Sequence, residues 1–69
     1  MTMKEFLNHC KAYGGNWVAM LLSGIKEVFP SEYESVVKSV EEIGYGAAGT
    51  KAFAYVCDWL EKHGVVAEL

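Results

Sequence analysis

Two histidines and two cysteines, His9, Cys10, Cys57 and His63, carry most of the reactive side-chain chemistry of this chain. They are the ligand types that zinc prefers. No two of them stand at the short Cys–Cys or His–His spacing that sets a pair of ligands side by side. His9 follows Glu5 by four residues, so an exposed helical ion pair accounts for it. His63 lies in the last turn of an apolar-rich segment, where a cation suits the helix dipole. Cys10 and Cys57 fit as small core side chains. A Cys10–Cys57 disulfide stays open as an alternative, because both fall on apolar faces. Cys57 and Asp58 are neighbours and point to different faces, so spacing places no base beside the thiol. These residues predict no catalytic centre, no metal site and no cofactor, and the chain reads as a non-enzyme.

A second set has the chemistry of recognition. Trp17, Met20, Tyr45, Tyr55 and Trp59 exceed what so short a chain can cover, and Trp, Tyr and Met are enriched at interface centres. The chain has 69 residues, is 52% hydrophobic and holds nine aromatic side chains. A domain of this size buries only about 60% of the surface its unfolded chain exposes. The surplus predicts a protein interface, with either a partner protein or a second copy in a homodimer. Those five residues are the candidate interface.

Charge narrows the partner class. The net charge is −3, and all six basic residues are lysine. Arginine is the preferred side chain for bidentate phosphate and base contacts, so its absence argues against nucleic acid. Lys4 and Glu5 interrupt the N-terminus before an apolar run can form, so no signal peptide is expected. No apolar run is long enough to span a bilayer. Two cysteines without a secretion signal fit free thiols in a reducing compartment, and the expected location is cytoplasmic.

The elements that must position these residues read as four helices in one domain covering residues 1–69. The first is expected from Met3 to Tyr13, with a capping box at Thr2 and Glu5 and a stop at Gly14 and Gly15. The second runs from Trp17 to Phe29 behind Asn16, with Val18, Leu21, Leu22, Ile25, Val28 and Phe29 on one face. Gly24 inside it costs about 1 kcal/mol relative to Ala, which a close helix contact would explain. The third runs from Glu32 to Ile43, with a second capping box at Ser31 and Glu34. The fourth runs from Thr50 to His63 and ends at Gly64. It is apolar around most of its circumference, which predicts a central position with the other three packed around it. The tail Val65–Leu69 is expected to be extended, lying on the bundle or pairing with another copy. The predicted fold class is thus all-α: a compact bundle of four short helices with a central C-terminal helix and a short extended tail.

Two motifs touch the ends of that fourth helix. Gly44, Gly46 and Gly49 spell G-x-G-x-x-G, followed by a helix, Gly64, Val65, Val66 and the acid Glu68. This resembles the opening unit of FAD- and NAD-binding Rossmann proteins over about 25 residues. The resemblance implies a pyrophosphate at the helix N-terminus and a ribose hydroxyl on the acid. The lead-in Val40-Glu41-Glu42-Ile43 has the pattern of an amphipathic helix, and a helix there leaves these glycines as an inter-helix loop. The run Leu60-Glu61-Lys62-His63-Gly64-Val65-Val66 resembles the end of the recognition helix and first wing strand of winged-helix DNA-binding domains. It implies a helix 50–63 in the major groove, with Thr50, Lys51 and Tyr55 near DNA. Lys51 and Lys62 are then set against Asp58 and Glu61, so phosphate neutralisation is weak. The leading expectation is a small protein-interaction or regulatory domain, and the alternative is a winged-helix-like DNA-binding module.

Overall fold

Thr2 opens the first helix. Its hydroxyl accepts a hydrogen bond from the Glu5 amide at 3.1 Å, and its own amide donates to Glu5 Oε1 at 2.9 Å. The capping box therefore forms as the spacing requires. The computed structural model describes residues 1–12, 14–44 and 50–67, and the structural statements here concern those residues. They form α1 (Met3–Leu7), α2 (Trp17–Val28), α3 (Tyr33–Ile43) and α4 (Lys51–Lys62), with no strand. The all-α bundle is as expected.

The first helix is shorter than its pattern. It ends at Leu7, and Tyr13, its expected end, lies outside the described residues. From Asn8 the chain becomes a strap across α2. The Lys11 amide donates to Ser23 Oγ at 2.9 Å, and the Ser23 hydroxyl donates to the Met20 carbonyl at 2.6 Å. Cys10 still lands on an apolar face, as its spacing suggested, but it does so from the strap.

Asn16 caps α2, accepting from the Ala19 amide at 3.0 Å. Val18, Leu21, Leu22 and Ile25 are buried along one face. Gly24 has the close contact that its cost called for. A Cβ placed there would lie 2.5 Å from Cys10 Sγ and 2.6 Å from Phe6 Cζ. The missing side chain is the seat on which α1 rests, and Phe6 is fully buried in it. Pro30 then prevents continuation, and the Glu32 amide closes a turn onto the Phe29 carbonyl at 3.0 Å.

That turn displaces the second capping box. Glu32 occupies the N-cap of α3 with helical backbone angles, and no side chain caps it. Ser31 is left inside the turn, so the expected Ser31–Glu34 pairing is corrected. Val36 and Val40 are buried from α3.

The expected centre of the bundle also moves. In α4 only Ala52, Val56 and Leu60 are buried, a single stripe at four-residue spacing. Phe53, Tyr55, Cys57 and Trp59 are half-buried along its flanks, and Ala54 is exposed. α4 packs against α2 and α3, whereas α2 packs against α1, α3 and α4. The helix with the glycine seat is thus the hub. The apolar circumference of α4 is one buried stripe with half-buried side chains on its flanks and an exposed Ala54.

The end of α4 is a Schellman motif. The Val65 amide donates to the Leu60 carbonyl at 2.9 Å and the Gly64 amide to Glu61 at 3.2 Å, with Gly64 at φ +87°. Val65 is buried against the core. Val66 forms a parallel bridge with Thr2: the Met3 amide donates to Val66 O at 2.8 Å and the Val66 amide to Met1 O at 3.1 Å. Of the two expectations for the tail, it lies on its own bundle. The Val66 backbone groups that could pair with another copy are already used. Glu68 and Leu69 lie outside the described residues.

Candidate functional site

Trp17 begins α2 and is 49% exposed. Beside it lies an apolar hollow of about 260 Å³, bounded by Ala12, Gly14, Gly15, Asn16 and Met20. Met20 stands one turn further along the helix and is half-buried. Gly14 and Gly15 both have positive φ, at 53° and 89°, and nothing lies within 4 Å of where their Cβ atoms would be. Nothing among the described residues covers the backbone there. Among the described residues, no charged side chain lines the hollow, so covering it strands no ion from them.

Trp59 has the opposite surroundings. Its ring meets Phe29 edge-on, with centroids 5.2 Å apart at 89°, and stacks on His63 at 3.7 Å and 13°. The His63 ring is held there by Nδ1–H donating to the Trp59 carbonyl at 2.8 Å. These contacts are favourable aromatic geometries that cover part of the Trp59 surface within the fold. Tyr55 is half-buried on the flank of α4. Tyr45 lies outside the described residues. The structure therefore joins Trp17 to Met20, and puts Trp59 at the other end of α2, against the residue that follows it. Sequence reasoning missed the hollow because Ala12, Gly14 and Gly15 carry no recognisable binding signature.

The reactive residues do not converge. His9 Nδ1 lies 2.9 Å from Glu27 Oε1, a contact with α2 that stands in place of the expected pairing with Glu5. The Cys10 thiol donates to the Phe6 carbonyl at 3.6 Å. Both cysteines are free thiols. Burial pushes both thiols above their ordinary value, so neither is an activated nucleophile. Asp58 is engaged by Lys62, Oδ2 to Nζ at 2.9 Å. Among the described residues, no group of three or more His, Cys, Asp or Glu is placed to hold a metal ion. None of the described helices is long and apolar enough to cross a membrane.

The two motifs meet the following surroundings. Gly44 ends α3 at φ +99°, and the segment before it is helix. No parallel sheet exists among the described residues to carry a Rossmann site. Gly46, Gly49 and Glu68 lie outside those residues. The outward face of α4 presents Lys51, Ala54, Asp58, Glu61 and Lys62, all exposed. That face is broader than a central helix would leave. Its Lys62 is paired with Asp58, which leaves Lys51 as its unpaired cation among the described residues. Lys62 has its pKa raised, first by the hydrogen bond to Asp58 and then by that carboxylate's charge. The Thr50 hydroxyl is buried and has no hydrogen-bond partner among the described residues. No family model, no curated protein and no solved structure matches the chain.

Proposed function

We propose that this chain is a protein-binding module that associates with a second copy through the face around Trp17 and Met20. The observation behind this reading is a half-exposed tryptophan standing beside an apolar hollow of about 260 Å³. Tryptophan is among the side chains with most to gain from burial, and it dominates interface centres. A twofold interface needs one patch that is complementary to itself. Here the projecting ring and the hollow lie side by side, so a rotated copy sets each ring toward the other's hollow. The bare glycine backbone allows that approach. An acidic chain without arginine is also better suited to an apolar contact than to a polyanion.

Mass in solution, measured by light scattering across a concentration series, tests this. The wild-type chain should reach the mass of a dimer, and Trp17→Ala should return it to monomer with its fold intact. A monomer throughout, or a dimer indifferent to Trp17→Ala, overturns the reading. The competing reading is DNA binding through α4, which the outward position of Lys51 supports. It requires binding at low salt that declines as salt rises, and loss of that binding in Lys51→Gln.

A further inference from the structure

A second depression, of about 380 Å³, lies between the strap, the outer side of α2 and the start of α3. That volume falls within the roughly 300–1,000 Å³ typical of small-ligand sites. Ala19 and the buried Leu22 line it with apolar surface, and the Tyr33 ring lines it further along. Lys11 enters from the strap and Lys26 from α2. The position of Lys11 is fixed by its backbone, because its amide is bonded to Ser23 Oγ and Ser23 is bonded in turn to Met20. The Lys26 ammonium stands 5.5 Å from the centre of the Tyr33 ring.

Charge balance around the depression is unusual for so acidic a chain. Glu27 also borders it, but its Oε1 is engaged by His9 Nδ1 at 2.9 Å. Among the described residues the contacts at salt-bridge distance are His9–Glu27 and Lys62–Asp58, so neither Lys11 nor Lys26 has a carboxylate within 4 Å. Two ammonium groups thus border one partly enclosed, partly apolar space. Because both lysines line the same depression, an anion seated there is attracted by each, and more strongly as the space excludes water.

We infer that this depression binds a small organic anion, with its charged oxygens between Lys11 and Lys26 and a flat apolar body against Ala19, Leu22 and Tyr33. The head is a carboxylate or a phosphate monoester, since both offer the same acceptor chemistry to ammonium donors. The site is separate from the Trp17 hollow, which lies beyond the strap on the side of Ala12.

Amide NMR titrations of the whole chain with benzoate, phenyl phosphate and the neutral benzyl alcohol test this. At least one of the two anions should give saturable shifts at Lys11, Ser23 and Tyr33, with a dissociation constant on the order of 1 mM or tighter. The better of the two identifies the head. Lys11→Gln and Lys26→Gln should each weaken it by about fivefold or more, and Lys51→Gln should not. Both pocket lysines are exposed, so the variants are expected to fold. Shifts that fail to saturate, an equal response to benzyl alcohol, or unchanged affinity in both pocket variants would overturn the inference.

Discussion

The two tryptophans sit at the two ends of α2, and their neighbours make them different objects. Phe29 follows the helix that Trp17 begins, about 18 Å away along the axis at 1.5 Å per residue. At the far end Phe29, Trp59 and His63 enclose one another edge-to-face and face-to-face. At the near end Trp17 has an open hollow beside it. Residue type is the same in both cases. Whether an aromatic side chain is spent inside the fold or left available depends on what the next element brings to it. α4 brings a ring to Phe29, whereas the segment before α2 brings glycines to Trp17.

Substitution at the two ends should separate them most clearly. Trp59→Ala should cost about 2–3 kcal/mol in urea denaturation, less than a fully buried aromatic because its ring is half-exposed. Trp17→Ala should stay within about 0.5 kcal/mol. A reversed order would break the comparison. Between the ends, Gly24→Ala should destabilise by about 1–2 kcal/mol. At contacts this short, overpacking against Phe6 and Cys10 costs about 2–3 kcal/mol, and the better helix propensity of Ala offsets about 1 of it. A neutral or stabilising result would mean that the Phe6 ring yields and that α2 owes its central place to something else. Asn16→Ala should cost about 1 kcal/mol by freeing the Ala19 amide. It should also shift Trp17 fluorescence more than Trp59 fluorescence, which single-tryptophan variants can read separately.

How much of this was legible follows from which signals are local. The bounds of α2, α3 and α4 were readable to within a residue or so from their apolar stripes and from Asn16, Gly44 and Gly64. The extent of α1 was not. The stripe Phe6, Leu7, Cys10 continues past the helix because turns tie His9 back to Phe6 and Cys10 back to Leu7, which keeps Cys10 on the Gly24 side without a further α-helical turn. Ser31 and Glu34 have the spacing of a capping box, but the turn at Pro30 sets Glu32 at the N-cap. Burial around α4 was overestimated because counting apolar residues around a helix does not say how many neighbours a short chain can supply. Of the candidate interface, Trp17 and Met20 come together, Tyr55 and Trp59 lie on α4, and Tyr45 lies outside the described residues. The Lys11–Lys26 depression had no signal in spacing, since its parts come from three elements.

The smallest expected effect concerns α1. Backbone and side-chain hydrogen bonds from Thr2 hold the Glu5 carboxyl below its ordinary value of 4.5. Its folded pKa is lowered, so the contribution of the cap is present above that ordinary value and is lost as pH falls through the lower folded one. Protection of the Thr2 and Glu5 amides against exchange, relative to the intrinsic rate at each pH, should fall on acidification before that of the core amides. A simultaneous loss of protection in the core would show that α1 and the hub melt as one unit.

The seat at Gly24 also makes two distant positions interchangeable in volume. Phe6 and residue 24 fill one space from two sides, so what one gains the other has to give up. If both codons were randomised and folded chains selected, the survivors should be pairs of roughly constant summed size. A smaller residue at 6 would accompany alanine or serine at 24, and phenylalanine at 6 would return only with glycine. The helix with a poor helix former at its middle would then owe its tolerance to a partner eighteen positions away.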